Sequence, residues 1–486
     1  MTAPRLPFPY RAEAEAVAQT LAALQGRLDW PAVLAAARPW VQAVRDKPPA
    51  FWAMESLLRE YPISSAEGLA LMRLAEALLR VPDAQTAIAL TADQLGRGDF
   101  DGAAEGSPHK MLANLSASAI SLSKRFLPDS HHPPGLLQRL GSRTVVAATV
   151  RAIQLLGRQF VLGRSIEEAM GEADSARKQQ SALRFSYDML GEGARTERDA
   201  QRYLASYRHA MAAIAAGHST SSGGKVAASP MAADGISIKL SALFSRYEDA
   251  QRERVFAELL PRLQSLVDQA ARANLNLTID AEEGDRLELS LDLFEALAAH
   301  ITAHHPQWQG LGLAVQSYQT RALAVVDEVA RIARNYRLRF MVRLVKGAYW
   351  DGEIKRAQEG GLPGYPVFTH KHHTDISYLA CAAALVGHHE VIYPQFATHN
   401  AGARPARPCL TQAWRARRLR CSACTAWAKG CTVKCWPMAR CPAASTPRWV
   451  NTATCWLTWC VGCWKTAPTL RLCTSWPTAV SVLKSC

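Results

Sequence analysis

Phe340-Met341-Val342-Arg343-Leu344-Val345-Lys346-Gly347-Ala348-Tyr349-Trp350-Asp351 is an apolar run of strand length that ends in cations, a glycine and an aromatic pair. Six residues rich in β-branched and large apolar side chains suit a buried strand. The two cations at its end suit a phosphate or the electron-rich edge of a flavin. Gly347 permits close backbone approach, and Trp350 offers a stacking face. Five further runs share the apolar pattern: Arg184–Tyr187, Ile236–Leu240, Leu277–Asp280, Leu311–Gln316 and Val391–Ala397. Amphipathic segments such as Arg252–Ala273 and Arg321–Tyr336 lie between them. Strands alternating with helices predict a parallel sheet wrapped by helices, either a (β/α)8 barrel or an open doubly wound sheet.

The polar residues decide between these. Lys239, Asp280, Gln316, Arg343 with Lys346, and Thr398-His399-Asn400 fall at or just past the apolar runs. In a (β/α)8 barrel those ends converge on one face, where such barrels place their active sites. A single one of them would read as a solvated loop residue; recurrence across five strands points to one pocket. Competing glycine signals are incomplete. Gly310-Leu311-Gly312 lacks the third glycine of a dinucleotide fingerprint, and Gly223-Gly224-Lys225 lacks the rest of a P-loop.

N-terminal to the strands, alanine- and leucine-rich segments with apolar residues three and four apart run from Arg11 to about Phe126 and again from Ser142 to about Asp174. The expected organisation is a helical arm over 1–45, an α-helical domain over 46–173, the barrel over 174–400 and a tail over 401–486. The tail has a different vocabulary. It contains no Asp, Glu, His, Phe, Tyr or Ile, yet holds 11 of the 12 cysteines, 8 of the 13 tryptophans and 13 of the 56 basic residues. At ordinary composition it should carry about 9 acidic residues. The formal charge of +14 is therefore +1 in the body and +13 in the tail. A pI near 9.4 thus argues for no acidic partner of the body. Cys381 is the body's single cysteine, which fits a reducing compartment. There is no signal-peptide pattern in Met1–Arg11 and no apolar run long enough to span a bilayer, so a cytoplasmic protein is expected.

Four strings carry a family resemblance: Arg343–Asp351 (RLVKGAYWD), Thr278–Leu287 (TIDAEEGDRL), Tyr187–Ala194 (YDMLGEGA) and Tyr393–Asn400 (YPQFATHN). They resemble the proline dehydrogenase domain of the bacterial proline utilization A (PutA) flavoenzymes, over roughly residues 10–400. The resemblance implies a distorted (β/α)8 barrel that binds FAD, oxidises L-proline to Δ1-pyrroline-5-carboxylate and passes electrons to membrane quinone, with peripheral association at the inner membrane. It makes Lys239 a partner of the proline carboxylate, Asp280 a pocket residue beside substrate and flavin, and Tyr349 a wall over the proline ring. It makes Gln316, Arg343, Lys346, Gly347, Ala348, Trp350, Thr369, Lys371, Thr398, His399 and Asn400 contacts of FAD. Arg343 fits a cation near the flavin N5 or carbonyls. His370, His372 and His373 read better as part of this flavin loop than as metal ligands, and no metal is expected. Glu282 and Glu283 read as charged loop residues rather than a carboxylate dyad. The family's aldehyde dehydrogenase half is not expected in these residues, nor is NAD. With only Met1–Arg11 ahead of the helices, no ribbon-helix-helix module and no specific DNA binding are expected; an oligomer is compatible with the sequence.

Past Asn400 the family continues with two more strands and a helix whose paired arginines clamp the proline carboxylate. Neither is visible as written. Back-translated with GC-rich codons and read one nucleotide out of register, Cys455–Lys465 becomes Leu-Leu-Ala-Tyr-Leu-Val-Arg-Arg-Leu-Leu-Glu, which resembles the missing helix. Cys424–Gly430 and Lys465–Thr469 shift likewise into family-like strings. A one-nucleotide frameshift near Ala401 is therefore inferred, and the expected fold is an incomplete barrel of six strands with two open edges and a disordered tail. The alternative is a genuine zinc- or nucleic-acid-binding module, since Cys421-x2-Cys424, Cys431-x3-Cys435 and Cys460-x2-Cys463 have ligand-like spacing.

Overall fold

In the computed structural model the chain divides into two units, residues 1–46 with 162–486, and residues 47–161. The structure describes residues 5–46, most of 162–221, 229–398 and the backbone of 420–424 and 450–454. The helical domain expected over 46–173 falls mostly outside the described residues.

The arm contributes α1 (Glu13–Leu24) and α2 (Trp30–Asp46). It is not a free extension, because ion pairs and backbone contacts fasten its start to the barrel's helices. The Arg5 guanidinium pairs with Asp292 at 2.9 Å, with Glu328 at 3.3 Å and with Glu295. Arg11 Nη2 donates to the Thr320 carbonyl at 2.7 Å.

α3 (Ile166–Gln179) leads into β1 (Leu183–Asp188), followed by α4 (Glu197–Ser221), β2 (Gly235–Ile238), α5 (Leu260–Arg272), β3 (Asn276–Ile279), α6 (Leu287–His304), β4 (Leu311–Gln316), α7 (Ala322–Asn335), β5 (Phe340–Val345), α8 (Trp350–Glu359), α9 (Lys371–Gly387) and β6 (Ile392–Ala397). Asp174 lies within α3, and Arg177, in the last turn of that helix, pairs with Asp234 beside β2.

All six strands read from the sequence are present and pair in parallel in sequence order. The outer helices supply the second layer of the core. α5 buries Leu263, Leu266, Val267 and Ala270, and α7 buries Val325, Val326, Val329, Ala330 and Ala333. This three- and four-residue spacing places one stripe of each helix on the sheet. Each large apolar side chain so buried contributes about 1.5–3 kcal/mol.

The six-strand parallel half-barrel is the one expected. Beyond it, the backbone of β7 (Arg420–Cys424) runs parallel to β6, and that of β8 (Val450–Thr454) runs parallel to β7 and β1. Backbone N–H and C=O groups at an open edge demand partners whatever side chains the pairing segment carries. The remainder of 401–486, expected to be disordered, lies outside the described residues. No helix among them is long and apolar enough to cross a membrane.

Candidate active site

Because the strands are parallel, their C-terminal ends share one face. Asp188 ends β1, Lys239 follows β2, Asp280 follows β3, Gln316 ends β4, Lys346 follows β5 and Thr398 follows β6. At the centre, Lys239 is 2% exposed; its Nζ lies 2.7 Å from Asp280 Oδ2 and 3.7 Å from Asp188 Oδ2. Burial alone would lower the Lys239 pKa, but Asp280 and Asp188 outweigh it and hold the ammonium protonated well above its ordinary range. The Lys239 backbone nitrogen donates to the Tyr207 hydroxyl of α4, 3.2 Å away in a buried contact.

Arg343 sits inside the barrel rather than at its rim, two residues before the end of β5. The pleat turns it inward, opposite Gln395 in the β5–β6 register. Fully buried, it donates from Nη1 to Ser237 Oγ and from Nη2 to Ser186 Oγ, both at 2.9 Å, and from Nε to Gln395 Oε1 at 3.3 Å. Nη1 also lies 3.6 Å from Asp280 Oδ1. That oxygen and Gln395 Nε2 are buried with no hydrogen-bond partner among the described residues. Two cations and two carboxylates thus meet in the water-poor centre of the barrel, with acceptor and donor capacity left over.

Gln316 bridges two loops. Its Nε2 donates to the Glu282 carbonyl at 2.8 Å, and its Oε1 accepts from the Ala348 backbone nitrogen at 3.2 Å. A cavity of about 20 Å³, room for one water, lies beside Gln316, Glu282 and Tyr247. Glu282, expected as a charged loop residue, lies in the loop after β3 but is 8% exposed, and its Oε1 accepts from the Ser241 backbone nitrogen at 3.0 Å. Burial raises its pKa, against these hydrogen bonds. Tyr349 is half-buried and donates to Glu192 Oε2 at 3.1 Å; burial and then Glu282 raise its pKa, opposed by Lys239.

The expected flavin residues gather around the β5 end and the start of α9. Lys346 and Lys371 share one carboxylate, Asp375, with Lys371 Nζ at 3.0 Å. Burial and then the Lys346 charge lower the Lys371 pKa. Trp350 Nε1 donates to the Phe368 carbonyl at 2.9 Å. Thr369 is held by the arm: its backbone nitrogen donates to Glu13 Oε1 at 3.1 Å and its Oγ1 to Glu13 Oε2 at 2.6 Å. Glu13, His370 and His373 also come within metal-ligand range of one another. Thr398 is buried, whereas His399 and Asn400 lie outside the described residues.

Gly347 serves a closer neighbour than any ligand. Its φ is +148°, and a Cβ there would stand 2.3 Å from the ring of Tyr318, itself 3% exposed. Gly347→Ala is therefore expected to destabilise the fold by about 2 kcal/mol through overpacking and backbone strain. Thermal melts of the two proteins check this, and an unchanged Tm would show that Tyr318 can move aside.

Glu353 of α8 is 4% exposed and accepts from the Gly284 backbone nitrogen through Oε1. Burial raises its pKa to about 7, against that hydrogen bond. Between the ordinary carboxyl value and about 7 the native state holds a proton that the unfolded chain has released. Stability therefore falls as pH rises through this window, by about 3 kcal/mol in total, and is flat above it. Glu353→Gln keeps the acceptor and is expected to abolish that slope in denaturant titrations between pH 5 and about 7.

Asp188, Glu192, Ser186, Ser237, Gln395 and Asp375 were not singled out by the sequence reading. For Asp188 the strand-end rule applies directly, since it closes the Leu183–Asp188 run. Ser186, Ser237 and Gln395 carry no such signal, because only the register shows that they face Arg343.

Comparison with known proteins agrees with this arrangement. A model of the proline dehydrogenase family matches residues 170–408, and a model described as the DNA-binding domain of proline dehydrogenase matches residues 53–160. The second match concerns a segment other than Met1–Arg11, on which the expectation of no specific DNA binding rested. The bifunctional protein PutA of Klebsiella aerogenes is 45% identical over 355 residues, covering 72% of this chain and 26% of that protein. PutA of Rhizobium meliloti is 39% identical over 386 residues, covering 78% and 30%. This chain thus spans between about a quarter and a third of the length of these relatives. A crystal structure of a point mutant of Bradyrhizobium japonicum proline utilization A superposes with a TM-score of 0.63 at 37% identity, covering 93% of this chain and 44% of that one. From its strand-end motifs, its parallel barrel and these matches, the chain carries a PutA-like proline dehydrogenase domain.

Proposed function

We propose that this domain oxidises L-proline to Δ1-pyrroline-5-carboxylate with FAD and passes the electrons to a membrane quinone at the inner-membrane surface. The observation that carries the reading is the buried Lys239–Asp280–Arg343 set, with Asp188 beside it, at the C-terminal ends of the strands. A proline zwitterion brings a carboxylate and a protonated amine. Lys239 suits the first, and the spare Asp280 Oδ1 suits the second as an acceptor. Tyr349 would cover the ring.

The residues also fit a dinucleotide flavin. Lys346 and Lys371 carry one positive charge beyond what Asp375 neutralises, and an anionic phosphate would relieve the repulsion that lowers the Lys371 pKa. Gln316, Gly347, Ala348, Trp350, Thr369 and Thr398, with His399 and Asn400 from outside the described residues, would complete the contacts. Bound FAD supplies the acceptor for the hydride on the proline carbon next to nitrogen. Arg343, permanently charged and locked by Ser186, Ser237 and Gln395, would stabilise negative charge arriving above it without reorganising.

Activity of the chain as written is proposed to be reduced. What supports it is the missing arginine pair, together with a family match that stops at residue 408, close to the change of composition at Ala401. Losing a charge-assisted clamp costs about 2–5 kcal/mol, or about 30-fold or more in kcat/KM.

The test is to purify the full chain, reconstitute it with FAD and add L-proline without oxygen. Retained yellow colour that bleaches slowly, and at least about 30-fold faster bleaching once the shifted frame is restored after Ala401, supports the proposal. A chain that never holds flavin in either frame sinks it. DNA sequence across codons 395 to 425 checks the frameshift separately: stop codons throughout the shifted frame would return the cysteine-rich tail to the zinc reading.

A further inference from the structure

On the outer wall of the barrel, α5 and α6 flank β3, the strand whose end carries Asp280. Asp268 lies on α5, His300 on α6, and His305 is the residue that caps α6. His300 Nε2 and His305 Nε2 both stand 2.8 Å from a single atom, Asp268 Oδ1. One ligand atom from each residue falls within 4.8 Å of the others. The side chains are 14%, 22% and 31% exposed for His300, His305 and Asp268, open to an ion from water yet mostly shielded.

The set is pre-oriented. The His304 ring stacks on His300 with centroids 4.4 Å apart and planes 28° apart. The His305 backbone nitrogen donates to the Ile301 carbonyl at 2.7 Å, and its carbonyl accepts from the Trp308 nitrogen at 2.9 Å. With the Nε2 protons moved to Nδ1, two imidazole lone pairs and a carboxylate oxygen would converge on one point. A tetrahedral ion with ligand bonds of about 2.0–2.1 Å separates its donor atoms by about 3.4 Å. The present contacts need to open by about half an ångström, within reach of small side-chain rotations. Two imidazoles and one carboxylate favour a late first-row transition ion over magnesium or calcium, which prefer an all-oxygen shell.

We propose that Asp268, His300 and His305 form a binding site for a divalent late transition-metal ion, with Zn²⁺ as its reference ligand and water in the open coordination position. The ion staples α5 to α6 across β3. The Glu13–His370–His373 group is the weaker candidate, because Glu13 already accepts two hydrogen bonds from Thr369.

The experiment is a calorimetric Zn²⁺ titration of the full chain after its cysteines have been alkylated, so that the 12 thiols do not compete. Thermal melts with and without Zn²⁺ accompany it. One equivalent bound on the order of micromolar, with a rise in Tm, is expected for the parent protein. His300→Gln combined with His305→Gln is expected to weaken that binding at least about tenfold and to remove the rise in Tm. His304→Gln, and His370→Gln combined with His373→Gln, are expected to leave both intact. Should the double variant at 300 and 305 not fold, Asp268→Asn carries the test, since it keeps the shape and both imidazoles. No bound equivalent in the parent, undiminished binding in Asp268→Asn or in the 300/305 variant, or loss of the equivalent in the 370/373 variant instead, overturns the proposal.

Discussion

Lys239→Met is expected to destabilise the barrel by about 3–5 kcal/mol and to abolish measurable proline oxidation. Methionine matches the lysine stem in length but leaves Asp280 and Asp188 facing each other with one cation fewer, in a centre where Lys239 is 2% exposed. Removing one partner of a buried charge set costs far more than the set contributes, because the remaining charge cannot regain its water. Denaturant titrations of the variant and the parent at neutral pH measure the defect. A Lys239→Met protein as stable as the parent at neutral pH would mean that the carboxylates find other partners, and that Lys239 is not the hub of the site.

Arg343→Met is expected to have the second largest effect, about 3 kcal/mol or more of lost stability with loss of tight flavin binding. Its guanidinium ties β5 to β1 through Ser186, to β2 through Ser237 and to β6 through Gln395, besides facing Asp280. Arg343→Lys keeps the charge but cannot reach three strands with a planar fork. It should therefore recover part of the flavin affinity while restoring little of the stability. Flavin content and Tm of the two variants, measured together, separate charge from bracing. Equal recovery of both by lysine would show that charge alone matters at this position.

Much of this site was legible before any coordinates. Lys239, Asp280, Gln316 and Lys346 were found because a strand end is a local feature: an apolar run stops and a polar residue follows. The same local rule picks out Arg343 but places it at the rim. Its place in the lumen depends on the pleat and on the β5–β6 register, neither of which is encoded at that residue alone. Glu282 reads as a charged loop residue because it stands in a run of acids followed by arginine, and nothing local marks it as buried. Its burial arises from Ser241 and Gln316, 41 and 34 residues away in sequence, which enclose it. The arm's hold on Thr369 through Glu13 spans 356 residues and leaves no trace in either segment.

The sequence by itself determined the alternation of six strands with amphipathic helices, the face on which polar residues collect, the family strings and the change of composition at Ala401. All of these follow from local periodicity or from short ordered strings. Only the tertiary structure decided which charges meet: that Lys239 sits between Asp280 and Asp188, that Lys346 and Lys371 share Asp375, and that Asp268 draws two histidines together on the outer wall. It also decided which tail segments, β7 and β8, pair beyond β6, because pairing at an edge is a matter of backbone hydrogen bonds, which every residue but proline offers alike.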